Sequence, residues 1–134
     1  GPSAYIIYLS KEYAYTGMKY NVLEQRVEDA PVFEAMIKEF EENGYSMIAG
    51  VRFHPCMKEG KEIYRYVCPD GVFEFDDSGR KKISSSVPWG KNEEVDFRKA
   101  EEISDEKLLV YYAGLNGNKS HMRMDEIDLE KKED

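Results

Sequence analysis

Cysteine, histidine and tryptophan are scarce in this chain, at two, two and one among 134 residues. Two thiols cannot staple a small fold, so a disulfide-dense secreted scaffold is excluded. No apolar run approaches the roughly 18 residues that a membrane-crossing helix requires, so no membrane span is expected. A glycine-rich phosphate loop, Gly-x-Ser-x-Gly and His-Glu-x-x-His are all missing. Cationic excess is missing too: 27 acidic residues against 19 basic ones leave a net charge of −8, a field that repels phosphate backbones and disfavours nucleic acid as a partner.

What is present argues for a folded core. Aromatics reach 13%, with 10 Tyr and 6 Phe, far from the composition of a disordered chain. The length suits one domain, expected over residues 4–124. Gly1-Pro2-Ser3 reads as a remnant of tag cleavage, and residues 125–134, with six acids and two lysines, read as a solvated acidic C-terminal tail.

Residues 5–9 (YIIYL) predict a strand, while 13–27 can be read as extended or as a helical turn. The clearest helix covers about 30–43, with Asp29 as N-cap, Pro31 in the first turn and Gly44 beyond the end. Val32, Phe33, Met36, Ile37 and Phe40 form its apolar stripe. From Tyr45 the period changes to two, predicting a half-buried strand that ends at Pro55. A hairpin centred near Glu59 would then set Cys56 opposite Glu62 and Cys68 opposite Gly50, too far out of register for a disulfide. Free thiols suggest a reducing compartment such as the cytoplasm.

Asp70-Gly71 predicts a two-residue hairpin loop with Cys68 opposite Phe73, Tyr66 opposite Phe75 and Arg65 opposite Asp76. Residues 80–84 follow as a strand. Asn116-Gly117 predicts a second hairpin, with Tyr111, Leu109 and Ala113 joining Met122 and Met124 on an apolar inner face. Its reverse face collects Tyr112, His121, Arg123, Val110, Leu108 and Asp125. Residues 84–94 read as a loop and 95–103 give no clear signal. The expected fold is α+β: a largely antiparallel, hairpin-rich sheet of five to seven strands with one principal helix packed on one face.

Chemical constellations are thin. His54, Cys56, Cys68 and His121 could be written as a zinc set, but their spacings are unlike the short-spaced pairs of structural sites. Cys56 with His54 could form a nucleophile pair, yet Pro55 intervenes and no third orienting residue is evident. A metal-nuclease reading of Asp70, Glu74, Asp76 and Asp77 is weak because the turn accounts for Asp70 and its partner Arg65 for Asp76, and Glu59-Gly60-Lys61 precedes Asp70 in a loop. Arg80-Lys81-Lys82 beside the serines could meet a phosphate, or blunt an edge strand. No catalytic residue, metal or cofactor is therefore expected.

Recognition fits better. Trp89, between Pro88 and Gly90, is a candidate anchor for a partner, or else folds back over the core. Tyr112, His121 and Arg123 mix aromatic and cationic groups as interfaces do. The expected function is a non-catalytic protein-interaction or regulatory module contacting a protein partner through Trp89, Tyr112, His121 and Arg123. The alternative is a small-ligand-binding domain or small enzyme with a pocket between helix and sheet. Nothing in the sequence sets the oligomeric state.

Overall fold

The computed structural model describes residues 2–84, 86–90, 93–116 and 119–130. Ten antiparallel strands lie in three sheets, with one helix among the described residues, in place of the single five- to seven-stranded sheet expected. Contacts group the chain into two compact units, residues 1–47 and 48–134.

Unit 1 is a three-stranded meander followed by the helix. Its strands are β1 (Ser3–Leu9), β2 (Tyr15–Asn21) and β3 (Arg26–Glu28), in the order β1-β2-β3. Ser3, set aside above with the leading residues, opens β1 opposite Asn21. The ambiguous stretch 13–27 is thus β2, a turn and β3. Asn21 holds that turn, its Oδ1 accepting from Glu24 N–H at 2.9 Å and its Nδ2 donating to Glu28 at 2.8 Å. Helix α1 (Pro31–Glu42) begins with Pro31 at its first position, and its N-cap is Ala30 rather than Asp29, with no side-chain cap bond. The expected stripe of Phe33, Met36, Ile37 and Phe40 is buried, and Gly44 turns the chain away at φ 72°. The helix lies very close to β2: a Cβ on Gly17 would sit 2.6 Å from Phe33 Cε2 and 2.9 Å from Ile37 Cγ1. Tyr5 meets the Phe33 ring edge-on at 5.2 Å from the neighbouring strand.

Unit 2 is all β. One sheet holds β4 (Arg52–Lys58), β5 (Lys61–Cys68), β6 (Gly71–Asp76) and β7 (Gly79–Lys82) in sequential order. The other holds β8 (Glu94–Ser104), β9 (Lys107–Asn116) and β10 (Lys119–Asp128), in the order β10-β9-β8. The strand expected before Pro55 starts later and runs through it, which a proline tolerates because β4 is an edge strand. Glu59 and Gly60 both take positive φ, 52° and 75°, so the turn is of the I′ kind and Cys56 faces Ile63, one residue from the expected Glu62.

Two further registers differ from expectation by two residues, which moves partners but keeps faces. Pro69, locked at negative φ, takes the first central turn position with Asp70 after it. Cys68 therefore pairs with Gly71, Tyr66 with Phe73 and Arg65 with Glu74 rather than Asp76. In the last hairpin Met122 pairs with Ala113, Arg123 with Tyr112 and Met124 with Tyr111; the expected turn residue Gly117 lies outside the described residues.

One core serves both sheets: Val67, Val72 and Ile83 from the first meet Phe97, Leu108, Val110, Tyr112 and Ile127 from the second, with Trp89 and Leu129. Residues expected in an acidic tail are part of this structure. Asp125–Asp128 complete β10, Ile127 and Leu129 are buried, and Leu129 bridges to Ser84; residues 131–134 lie outside the described residues. Segments flanking the strands add backbone bonds, Glu130 N–H to Ile83 O at 2.7 Å after β10 and β7, and Phe97 N–H of β8 to Ala49 O ahead of β4 at 2.7 Å.

Candidate functional site

The residues singled out from sequence separate into two groups. Trp89 is 5% exposed and Tyr112 wholly buried, so neither side chain is presented to a partner. Trp89 Nε1 donates to Pro69 O at 2.8 Å, and its indole packs edge-on against Phe97 at 4.9 Å and Tyr112 at 5.2 Å. The tryptophan folds back onto the core because its loop lies against the aromatic inner face of β8 and β9. His121 and Arg123, by contrast, remain exposed on β10.

Tyr112 keeps its hydroxyl in the core by donating to Asp125 Oδ2 at 2.5 Å. Burial, then that carboxylate, pushes the phenol far above its usual value. The Arg123 guanidinium stands 5.8 Å over the Tyr112 ring and 3.8 Å from Glu93 Oε1. Glu93 occupies the space where a Gly114 Cβ would stand. These groups satisfy one another around a buried ring and expose no proton donor or nucleophile for chemistry.

A second polar cluster, which sequence reasoning missed, spans the two sheets of unit 2. Arg65, 3% exposed, donates from Nη2 to Glu74 at 3.0 Å and from Nη1 to Glu102 Oε1 at 2.7 Å. His54 Nε2 lies 2.9 Å from the same Glu102 oxygen. A bulge in β8 between Phe97 and Lys99 makes this possible, because it shifts the alternation so that Glu102, paired with buried Leu108, faces inward. Burial would lower the Arg65 pKa, but the two carboxylates outweigh it and the net direction is up. Burial would likewise raise Glu102, yet the bond from His54 and the charge of Arg65 hold its carboxyl below the usual range. The adjoining gap, bordered by Arg52, His54, Arg65 and Leu108, is too narrow for a water molecule. The cluster is a clamp between sheets, with no room for a substrate.

The proposed chemistry sets do not assemble. His54 and Cys56 share a β4 face opposite Arg65 and Ile63, and His54 is engaged by Glu102. Among the described residues no three His, Cys, Asp or Glu side chains come together as metal ligands. Arg80 lies over the Phe73 ring at 4.4 Å, and buried Ser84 accepts from Val72 N–H at 3.0 Å.

Two surfaces remain. The register of β1, β2 and β3 places Tyr5, Ile7, Gly17 and Lys19 toward α1, and therefore Ala4, Ile6, Tyr8, Thr16, Met18, Tyr20 and Val27 on the opposite face. That face carries no charged side chain, in a chain where 34% of residues are charged. Ile6, Tyr8 and Val27 are 37%, 44% and 59% exposed on it. The second surface is the outer face of β8, β9 and β10. The face expected to be internal is the one turned to solvent: Met122 and Met124 are 68% and 59% exposed, while Leu108, Val110 and Tyr112 point inward. Charged Asp96, Lys99, Glu101 and Glu126 rim it. Unit 1 also has an open groove of about 480 Å³ bordered by Ser10, Tyr15, Thr16, Pro31, Glu34 and Lys38, which lacks converging aromatic walls.

Comparison of the chain with known protein families, curated proteins and solved structures finds no match.

Proposed function

We propose that this chain is a non-catalytic protein-interaction module whose contact surface is the outer face of the β1-β2-β3 sheet. The observation that carries the reading is the absence of charge across that face together with its two tyrosines. Depletion of charge and enrichment in Tyr and Met mark the centre of protein interfaces. Tyrosine offers contact area at a low cost in side-chain entropy, and apolar patches of this kind rimmed by polar groups are where partners bind. The polar residues that could have argued for catalysis are held in the Arg65 and Tyr112 clusters. His121 is exposed on β10 of unit 2 and Arg123 is engaged by Glu93 and the Tyr112 ring, whereas Trp89 and Tyr112 act beneath the surface.

The test is a charge placed on the face. Ile6→Glu and Tyr8→Glu should abolish recovery of a partner by affinity capture, with the partner then purified and its affinity for the wild-type chain measured. Both sites are half exposed, so the melting temperature should move by no more than about 2 °C. Undiminished capture by both variants would overturn the reading.

A further inference from the structure

We propose that two copies of this chain pair through the outer edge of β10, antiparallel, with Met124 facing Met124 of the second copy. The backbone shows which groups are offered. Leu129 N–H donates inward to Glu106 O, and Glu130 N–H donates outward to Ile83 O. β10 pairs with β9 without a bulge from Lys119 to Asp128, so its even-numbered residues all direct their N–H and C=O away from β9. Among the described residues no strand pairs with that edge before Leu129. Its far end is guarded by Glu126 and Asp128, which flank Lys107 at 3.5 and 3.8 Å. Around Met122 and Met124 no proline protects it, and the charges there, Arg123 and Asp125, are of opposite sign.

Charge order selects the occupant. Along β10 the cations come first, Lys119 and Arg123, and the carboxylates follow, Asp125, Glu126 and Asp128. A strand of that kind is complementary to itself when reversed. Like charges directly opposite destabilise a ladder and opposite ones support it. Pairing about Arg123 would oppose two guanidiniums, and pairing about Asp125 two carboxylates. Pairing about Met124 sets each Arg123 against Asp125 of the second copy and each Met122 against Glu126, with no like-charged pair. The surface is then isologous, as a two-fold dimer requires, and the two three-stranded sheets become one of six.

The register makes the test specific. Two residues at position 124 would have Cα atoms about 5.5 Å apart, within disulfide range. Two residues at 122 would be separated by four steps, roughly 13 Å. In a Cys56→Ser background, Met124→Cys should cross-link to a dimer under mild oxidation and Met122→Cys should not. Sedimentation of the wild-type chain should show a species of twice 15.6 kDa that weakens with added salt. Met124→Pro removes one outward N–H and should weaken the dimer at least about tenfold while leaving the circular dichroism spectrum unchanged. A monomer at all concentrations, equal cross-linking at 122 and 124, or a dimer indifferent to Met124→Pro would each overturn the proposal. The β1-β3 face takes no part in this pairing, so its failure and that of the proposed function are separable.

Discussion

The Glu102 carboxylate couples the stability of unit 2 to acid. Glu102 accepts from both Arg65 and His54, and its folded pKa lies below the 4.5 of an unperturbed glutamate. A depressed carboxyl adds stability that is complete above the unfolded value and is lost as pH falls through the folded one. Stability should therefore drop on acidification below about pH 4.5, and Glu102→Gln should flatten that limb while costing stability at neutral pH, as read by urea unfolding at several pH values. The partnership was not legible in the sequence, because it needs a bulge at Arg98 that no local pattern announces. Tyr112 shows the opposite limit: its amphipathic ring reads equally well as a contact or as core, and the Asp125 acceptor across the ladder decides for core.

At the level of elements the sequence speaks clearly where period and turn chemistry agree. The α1 stripe, the paired runs around Pro69-Asp70-Gly71 and around Asn116-Gly117, and the strand character of 107–115 all follow from it. The register around Pro69 differs by two because proline claims the first turn position, and the faces survive the shift. The inside of the last hairpin was inverted, since Met122 and Met124 are apolar yet Leu108, Val110 and Tyr112 make the better inner surface against Phe97. Apolarity alone does not say which side of a sheet another layer will cover. Nothing in the local pattern marks Gly17, although the contact between α1 and β2 depends on it. Gly17→Val would drive a side chain into Phe33 and Ile37 and should cost about 1–3 kcal/mol or more, measured by chemical denaturation.

On the scale of the whole molecule, the expectation of one sheet under one helix failed because helix and β-meander each find partners close in sequence. Unit 1 closes with β1 to β3 and α1; unit 2 closes two sheets over one core. Trp89 belongs to neither sheet of unit 2 yet touches Phe97 and Tyr112 and reaches Pro69 O. Trp89→Ala should cost about 3–5 kcal/mol. Amide exchange should accelerate together in β4 to β7 and in β8 to β10, because both sheets share the core that the indole fills.

The bridge between Ser84 and Leu129 has a bearing on synthesis. Every internal contact of the first 47 residues is available as soon as they leave the ribosome, so that unit can fold while translation continues. Unit 2 must wait until Glu130 has emerged to bond Ile83, and until then the nascent β5 and β6 present bare apolar faces. The second half of the chain is therefore the part whose folding is completed last.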